Sequence, residues 1–376
     1  MSRPWIASLL GWRLVWLALP LVFASVLELP FSRSAFESNF HRAADAPPHL
    51  GTRWATWDGQ HYLEIAEHGY AAGSVATAFW PLWPATIRLL APLTGGSYLA
   101  AALVAANLLA ILGAILFARW VERRSTAGVS TAALVALLVF PSAFFLGLPY
   151  SEALFIALAA AFLLALDARR PALAACAALA MTLSRPVGFF VLLPIVAWLR
   201  RERDGTTSRS ARTFLALSPL LGAASYALVH LALTGDPRGA FGIEGVFISG
   251  QSLGRLLDPI GFVASFFAVD SWHSIRGSLL DRIVFVLIAA TLPRLWHRDR
   301  VAFWYALPMT LVPAATLRFM AFTRFALVVL PAFWILAEAI QAPGRLRRTL
   351  AWLSAGLALL LQLWLYARQT GNLWAG

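Results

Sequence analysis

The sequence predicts an all-α polytopic membrane protein, and three observations support that prediction. The 376-residue chain is 60% hydrophobic and only 13% charged, with a mean hydropathy of +0.72. A soluble domain of this length would carry more charge and fewer unbroken apolar runs. Apolar runs of about 20 residues, the length that crosses a bilayer as a helix, recur along the chain. All 30 basic residues are Arg, and they cluster in short segments between those runs.

The apolar runs predict about nine full spans and one divided two-helix hairpin, or about 11 helical membrane segments, in a single integral membrane domain over 1–376. The predicted full spans are 9–31, 97–118, 129–148, 151–167, 213–233, 279–296, 301–317, 323–340 and 350–367. The hairpin covers 171–199, where Ser184, Arg185 and Pro186 interrupt an apolar run whose halves are each too short to cross. The first run lacks a small-residue cleavage site, so we interpret it as an uncleaved span.

The arginine-rich segments orient the chain. They are "RWVERR", "DARR", "RRERDGTTSRSAR", "RLWHRDR" and "RLRR", and they share one side if the spans alternate and the hairpin returns to its starting side. The positive-inside rule places that side in the cytoplasm, which accounts for the net charge of +12 without nucleic acid as a partner. A first external loop (32–96), a second (235–278) and the segments near residues 150 and 320 then share the other face. We therefore expect one extracytoplasmic site, built partly from loop helices.

The most polar part of the first external loop is "RWATWDGQHYLEIAEHGY", residues 53–70. It predicts a helix over 57–69, with Thr56 as N-cap and Gly69 at its end. Asp58, His61 and Tyr62 then share one face. A carboxylate in the first helical turn suits the helix dipole, and it can act as a general base toward a hydroxyl. The residues alone leave open that Asp58 only caps the helix, and that the aromatic side chains around it form an ordinary interfacial belt.

Three arginines, Arg185, Arg318 and Arg324, stand in apolar surroundings on the external side. Ionisable groups are costly there and usually functional. Guanidinium groups bind phosphate bidentately, so the three predict a phospholipid or a polyprenyl phosphate as ligand. The alternative is that they snorkel or pair with Glu152 or Asp270.

The segment "GLPYSEALF" places Tyr150, Ser151 and Glu152 at the start of the fourth predicted span. Ser151 can cap that helix and Glu152 suits its first turn, so capping and a role in the site both remain open. The sequence has no HExxH, CxxC, phosphate-binding glycine loop or DxD pair. We therefore expect neither a metal site nor a nucleotide-binding fold.

The segments "WDGQHYLEIAEHGY", "FWPLWP", "FPSAFFLGLPYSEALF", "SRPVG" and "TRFALVVLP" resemble, in this order, the motifs of the PIG-V-like (phosphatidylinositol-glycan class V) mannosyltransferases. The resemblance covers about residues 50–335, with Trp80 and Trp83 where family members usually have Phe. It implies a helical bundle of the class C glycosyltransferase type, a lipid-phosphate sugar as co-substrate and no cofactor. It also implies that Asp58 is the catalytic base, and it matches Glu152 and Arg324 to the Glu and Arg of the later motifs.

The expected function is that of an inverting glycosyltransferase. A sugar, mannose by the resemblance, moves from a polyprenyl-phosphate donor to an extracytoplasmic lipid or glycan acceptor. Asp58 accepts the proton of the acceptor hydroxyl, while Arg324, with Arg185 or Arg318, stabilises the leaving phosphate without a divalent metal. The predicted substrate-binding residues are Trp57, Gln60, His61, Tyr62, Tyr150 and Glu152.

Two other functions remain open at this point: a lipid-linked sugar transporter or flippase, and a non-catalytic subunit of a glycosylation complex. A transporter should show inverted repeats with matching broken helices, and the sequence has one broken segment and no repeat. Glucose, galactose or a pentose remains possible as the sugar. We expect a multi-pass protein of the bacterial plasma membrane with its active site on the extracytoplasmic face. The sequence does not indicate an oligomeric state.

Overall fold

A computed structural model describes residues 3–38, 48–202, 208–243, 253–341 and 343–376. Parts of both predicted external loops (39–47 and 244–252) and of one predicted cytoplasmic loop (203–207) lie outside the described residues. The described part is helical, with one isolated bridge between Ser271 and Ser278 and no strand. Its α-helices are, in chain order, α1 (Arg3–Ser25), α2 (Arg33–Ser38), α3 (Asp58–His68), α4 (Leu82–Leu90), α5 (Tyr98–Glu122), α6 (Ala127–Leu138), α7 (Glu152–Asp167), α8 (Pro171–Ser184), α9 (Leu192–Arg201), α10 (Arg209–Thr234), α11 (Pro259–Phe267), α12 (Leu279–Ala289), α13 (Leu292–Arg298), α14 (Arg300–Thr316), α15 (Phe322–Phe325), α16 (Leu330–Gln341) and α17 (Arg345–Thr370).

Four helices of the described part, α1, α5, α10 and α17, are long and apolar enough to cross a membrane. A fifth candidate is the pair Phe322–Val328 and Leu330–Gln341, bent by 86°. The chain is therefore an integral membrane protein, but the predicted count of about nine full spans is not confirmed. The physical reason is helix length: α7 and α14 have 16 and 17 residues, and the predicted spans 129–148 and 279–296 each break partway.

The centre of the bundle is built from small side chains that let helices approach closely. α5 packs against α7, and α8 packs against both α7 and α10. A Cβ at Gly113 of α5 would lie 3.1 Å from the backbone nitrogen of Ala157 in α7, so glycine permits this contact. Close packing of small residues is the usual way in which helices associate inside a membrane. It fixes α7, whose first residue belongs to the site described below.

The divided segment breaks at the predicted place. α8 ends at Ser184, Arg185 is extended (φ −157°, ψ 148°), and a 3₁₀ helix over Pro186–Val191 leads into α9. Proline disfavours helical backbone at the residue before it, which explains the extended Arg185. The two ends of the segment come together, because Arg169 pairs with Glu202 at 3.2 Å. The break thus places Arg185 at the far end of α8 from this pair, inside the bundle.

Candidate active site

Four charged side chains from four separate parts of the chain meet in one cluster, which we call the ion cluster: Asp58, Glu152, Arg185 and Arg324. Arg324 Nη1 lies 2.6 Å from Asp58 Oδ2, and Arg324 Nε lies 2.5 Å from Glu152 Oε1. Arg185 Nη1 lies 2.9 Å from the same Glu152 oxygen. Two guanidinium groups therefore share one carboxylate, and one of them also holds Asp58.

The members of the ion cluster differ in their access to solvent. The side chain of Glu152 is fully buried, and those of Arg185 and Arg324 are 5% and 9% exposed. The side chain of Asp58 is 27% exposed. Buried charges are stable only when they are paired, and here each one is. Asp58 is thus the open edge of an otherwise enclosed cluster.

Asp58 is the first residue of α3, and the backbone just before it is strained. Trp57 has φ 50°, in the left-handed region that bulky residues rarely adopt. Its ring is held in place, since Trp57 Nε1 donates to the Leu373 carbonyl at 3.2 Å and the indole packs edge-on against Trp374 at 5.4 Å. Strain of this kind costs of order 1–3 kcal/mol and persists where the surroundings over-determine it. The predicted Thr56 cap is wrong, because the N-cap residue is Trp57, whose side chain makes no capping bond, and the Thr56 hydroxyl donates to the Gln369 carbonyl.

The loop that carries Arg324 is strained in the same way. Arg318, Phe319 and Ala321 have φ values of 53°, 65° and 57°. Asp281 fixes the position of this loop. Its Oδ1 accepts hydrogen bonds from the backbone N–H and from the hydroxyl of Thr323, at 2.6 Å each. The arginine next to Thr323 is thereby directed into the bundle. Strained backbone on both sides of the Asp58–Arg324 pair is typical of a functional site.

Glu152 begins α7, where a carboxylate suits the positive end of the helix dipole. Ser151 makes no side-chain capping bond, so the interpretation of Ser151 as a cap is wrong. Its hydroxyl lies 3.1 Å from the Tyr62 hydroxyl instead. Burial raises the pKa of the Tyr62 phenol to about 12, so this group stays neutral.

A buried hydrogen-bond network lies behind Asp58 and joins three segments. Gln369 Nε2 donates to Thr56 Oγ1 at 2.8 Å and to the Tyr150 hydroxyl at 2.7 Å. Thr56 Oγ1 donates to the Gln369 carbonyl, and the Tyr150 hydroxyl donates to the Thr56 carbonyl. The Tyr150 ring also lies 4.7 Å from the guanidinium carbon of Arg324. Burial raises the pKa of the Tyr150 phenol well above its usual range, so this hydroxyl stays protonated and remains a donor in the network.

The remaining predicted residues fall into two groups. Gln60 and His61 are buried in α3, where His61 stacks on Phe79 with ring centroids 4.4 Å apart. Among the residues that the structure describes, neither side-chain amide atom of Gln60 has a hydrogen-bond partner. Arg318 does not join the ion cluster, which corrects its grouping with the other two arginines: it pairs with Asp258 at 2.5 Å, at the start of α11.

The end of the chain contributes to the site, which sequence reasoning missed. Gln369 belongs to the buried network, and Leu373 and Trp374 contact Trp57. A Cβ at Gly376 would lie 3.8 Å from Arg324 Cδ, so this residue also lies close to the ion cluster. The available signal was the polar Gln369 near the end of an apolar helix, where polar groups are commonly functional. Within the described residues no group of three or more His, Cys, Asp or Glu side chains is placed to hold a metal ion.

Chemically, the ion cluster offers a carboxylate with a free oxygen next to guanidinium N–H donors. Asp58 Oδ2 is occupied by Arg324, whereas Asp58 Oδ1 makes no hydrogen bond in the part of the chain that the structure describes. Arg324 uses Nε and Nη1 for its two carboxylates, and its Nη2 makes no hydrogen bond in those same residues. One oxygen can therefore accept a proton beside a donor that can bind an anion.

Solved structures similar to this chain include an oligosaccharyltransferase and ArnT. The Archaeoglobus fulgidus oligosaccharyltransferase, in a complex with zinc and sulfate, is 14% identical with a TM-score of 0.49, over 95% of this chain and 53% of that one. ArnT from Cupriavidus metallidurans, bound to undecaprenyl phosphate, is 18% identical with a TM-score of 0.46, over 92% of this chain and 63% of that one. The chain thus spans between about half and two thirds of the length of these proteins.

No curated protein matches the sequence. The family model described as mannosyltransferase (PIG-V) matches residues 18–232, more than half of the chain. The matched stretch contains Asp58, Glu152 and Arg185, and Arg324 reaches them from outside it. The chain therefore belongs to the mannosyltransferase (PIG-V) family of glycosyltransferases.

Proposed function

We propose that this protein is an inverting glycosyltransferase that moves mannose from a polyprenyl-phosphate donor to an extracytoplasmic lipid or glycan acceptor. The observation that carries the proposal is the Asp58–Arg324 pair: a partly exposed carboxylate with one unoccupied oxygen lies against a guanidinium with unused donors. Family membership supports the glycosyl-transfer chemistry. The sugar, the donor lipid and the acceptor belong to the proposal.

The reaction uses both halves of the pair. The acceptor hydroxyl gives its proton to Asp58 Oδ1, and its oxygen forms a bond to the anomeric carbon. The bond from that carbon to the phosphate oxygen breaks on the opposite face, and the phosphate leaves with the electron pair. Attack and departure on opposite faces invert the anomeric configuration.

The arginines receive the charge that develops on the phosphate. Arg324 points to Asp58 and Glu152 with two of its nitrogens, so its remaining N–H groups lie beside the reacting centre. Arg185 adds a second guanidinium 2.9 Å from the same Glu152 oxygen. Donors fixed in advance in a partly enclosed site stabilise developing charge strongly. This arrangement supports a mechanism without divalent metal, in which a chelator leaves turnover unchanged.

Glu152 takes a different role from the substrate contact that the sequence predicted. Its side chain is fully buried and its Oε1 is occupied by two arginines. We assign it as a positioning residue that holds both guanidinium groups. Gln60, His61, Tyr62, Tyr150 and Trp57 remain proposed substrate-binding residues; the unpartnered amide of Gln60 suits a sugar hydroxyl.

We also propose the arrangement of the chain in the membrane: a multi-pass class C type bundle in a bacterial plasma membrane, with the ion cluster facing outward. The distribution of arginine supports this orientation. The loops 32–96 and 235–278 are then extracytoplasmic, and 171–199 is a divided hairpin within a single membrane domain.

The test is transfer from radiolabelled polyprenyl-phosphate mannose in proteoliposomes that contain a membrane extract as acceptor, with protein-free liposomes as control. The proposal expects labelled product whose anomeric configuration, read by NMR, is opposite to that of the donor. Label that crosses the bilayer without a new product would indicate a transporter. Label that neither moves nor transfers, with this donor and with other lipid-linked sugars, would indicate a non-catalytic subunit.

A further inference from the structure

A polar cavity lies at the other end of α7 from the ion cluster. α7 begins at Glu152 and ends at Asp167, so its 16 residues separate the two places by about 24 Å. The cavity has a volume of about 340 Å³ and is lined by the ends of α5, α7 and α9 and by the junction of α13 and α14. We call it the basic cavity, because five arginines and three carboxylates line it. One of these arginines, Arg298, pairs with Glu338 outside the lining at 2.7 Å, and the cavity keeps a surplus of positive charge.

The three carboxylates are all engaged with arginines of the cavity wall. Arg124 contacts Asp167 and also lies 2.9 Å from Asp299, while Glu202 pairs with Arg169 at 3.2 Å. The guanidinium carbon of Arg124 also lies 4.0 Å from the centre of the Trp120 ring. The side chain of Arg124 is only 13% exposed. The wall is thus a fixed network, and its acids are already paired.

The surplus charge resides in arginines without a carboxylate partner. The side chain of Arg123 makes one long hydrogen bond, 3.4 Å, to the Asp167 carbonyl, and the side chain of Arg201 makes no ion pair or hydrogen bond among the described residues. Both side chains are exposed at the cavity. Two guanidinium groups that have no carboxylate partner among the described residues, beside a cavity of ligand size, suit a phosphate group, which accepts bidentate hydrogen bonds from arginine.

The position of the basic cavity indicates which kind of molecule carries that phosphate. The apolar helix α5 ends at the cavity, so the cavity lies where the bilayer gives way to water. Near the cavity, the guanidinium carbon of Arg300 lies 3.2 Å from the centre of the Trp296 ring. Trp296 is partly exposed, and this pairing of an aromatic ring with an arginine suits the membrane interface. Basic pockets between helices at this level bind anionic lipid headgroups.

We propose that the basic cavity binds the phosphate headgroup of an anionic glycerolipid, on the side of the membrane opposite the ion cluster. The site is separate from the transfer chemistry and does not depend on the proposed function. The guanidinium groups of Arg123 and Arg201, which no carboxylate of the described residues pairs with, bind the phosphate, and the paired network around Arg124 keeps the cavity open. Zwitterionic lipids bind less well, because their cationic group meets the surplus positive charge.

The experiment uses the purified protein in uncharged detergent micelles and follows its thermal unfolding by tryptophan fluorescence. Phosphatidylglycerol, phosphatidylcholine and inorganic phosphate are titrated separately. The test variant is R123A/R201A, and the matched control is R347A/R348A, which removes two exposed arginines of the same predicted membrane side, outside the cavity. Single R201A serves if the double variant does not fold.

The proposal expects phosphatidylglycerol to raise the unfolding temperature of the wild type and the control alike. In R123A/R201A its apparent affinity falls by about tenfold or more, since charge-assisted hydrogen bonds are lost. Equal stabilisation of all three proteins would overturn the proposal, as would an equal loss in the control, which indicates only general attraction to positive charge. If inorganic phosphate stabilises the wild type as well as the lipid does, the lipid assignment is wrong.

Discussion

Glu152 is the residue on which the proposed geometry depends most, and Glu152→Gln isolates its charge. The substitution keeps the shape of the side chain but leaves Arg185 and Arg324 buried with only Asp58 to balance them. Removal of one partner from a buried ion pair costs about 3–5 kcal/mol. We expect a loss of that size in the free energy of unfolding. We also expect turnover to fall by about a hundredfold, because small displacements of catalytic groups have effects of that order.

A double-mutant cycle separates this charge effect from simple loss of packing. Arg185→Gln alone leaves one guanidinium on Glu152, and in Glu152→Gln with Arg185→Gln the buried charges balance again. The double variant should therefore lose less stability than the two single variants added together, by about 2 kcal/mol or more. Unfolding is measured in mixed micelles with a rising fraction of denaturing detergent, and Glu122→Gln, an exposed carboxylate, is the control. Effects that add to within about 0.5 kcal/mol would refute the idea that the cluster acts as a unit.

Three further substitutions test other parts of the site, each assayed as turnover of lipid-linked donor at matched amounts of folded protein. Arg324→Lys keeps the charge but cannot reach Glu152 and Asp58 through separate nitrogens, so kcat should fall by about 100-fold to 1000-fold; an unchanged kcat would contradict its role at the phosphate. Gln369→Leu removes two buried hydrogen bonds, so the free energy of unfolding should drop by about 1–3 kcal/mol and kcat should fall with KM unchanged; a change in KM alone would instead indicate substrate contact. Arg318→Ala removes an ion pair outside the cluster, worth about 0–1 kcal/mol, and should leave turnover unchanged to within about threefold; a larger loss would return Arg318 to the phosphate site.

The sequence predicted local features of the fold well, because local rules govern them. Gly69 follows α3 as expected, with φ 85°. Pro186 breaks the divided segment at Arg185, since proline restricts the residue before it. The span count depended on helix length, and proline and turn residues within apolar runs shortened several helices below a full crossing. Apolar runs define membrane segments more reliably than they define continuous helices.

In the site, the sequence shows local signals such as helix caps, but it does not show the contacts between residues far apart in the chain. Thr56 and Ser151 carry the local signal of a helix cap, but tertiary partners take their hydroxyls: Gln369 for Thr56 and Tyr62 for Ser151. Arg318 and Arg324 have similar local surroundings, and only the folded chain gives them different partners. Because these contacts join residues far apart in sequence, no periodicity or spacing could have assigned them.

The left-handed backbone at Trp57 and around Arg318 was also beyond sequence reasoning. Neither position is glycine, the residue that usually signals such a conformation. The strain is maintained by contacts from distant segments, including the Leu373 carbonyl on Trp57 and the Asp281 carboxylate on Thr323. Sequence motifs thus identified the charged groups, whereas the fold determines the direction of their side chains.

The most direct test of the central claim is the turnover of Asp58→Asn, compared with wild type in proteoliposomes that contain radiolabelled polyprenyl-phosphate mannose. Asp236→Asn, which changes an exposed carboxylate paired with Arg238, is the matched control. If Asp58 is the general base, the variant loses about a hundredfold or more in turnover, while donor binding and the control are retained. Wild-type turnover in Asp58→Asn would contradict the mechanism and leave the Asp58–Arg324 pair with a purely structural role.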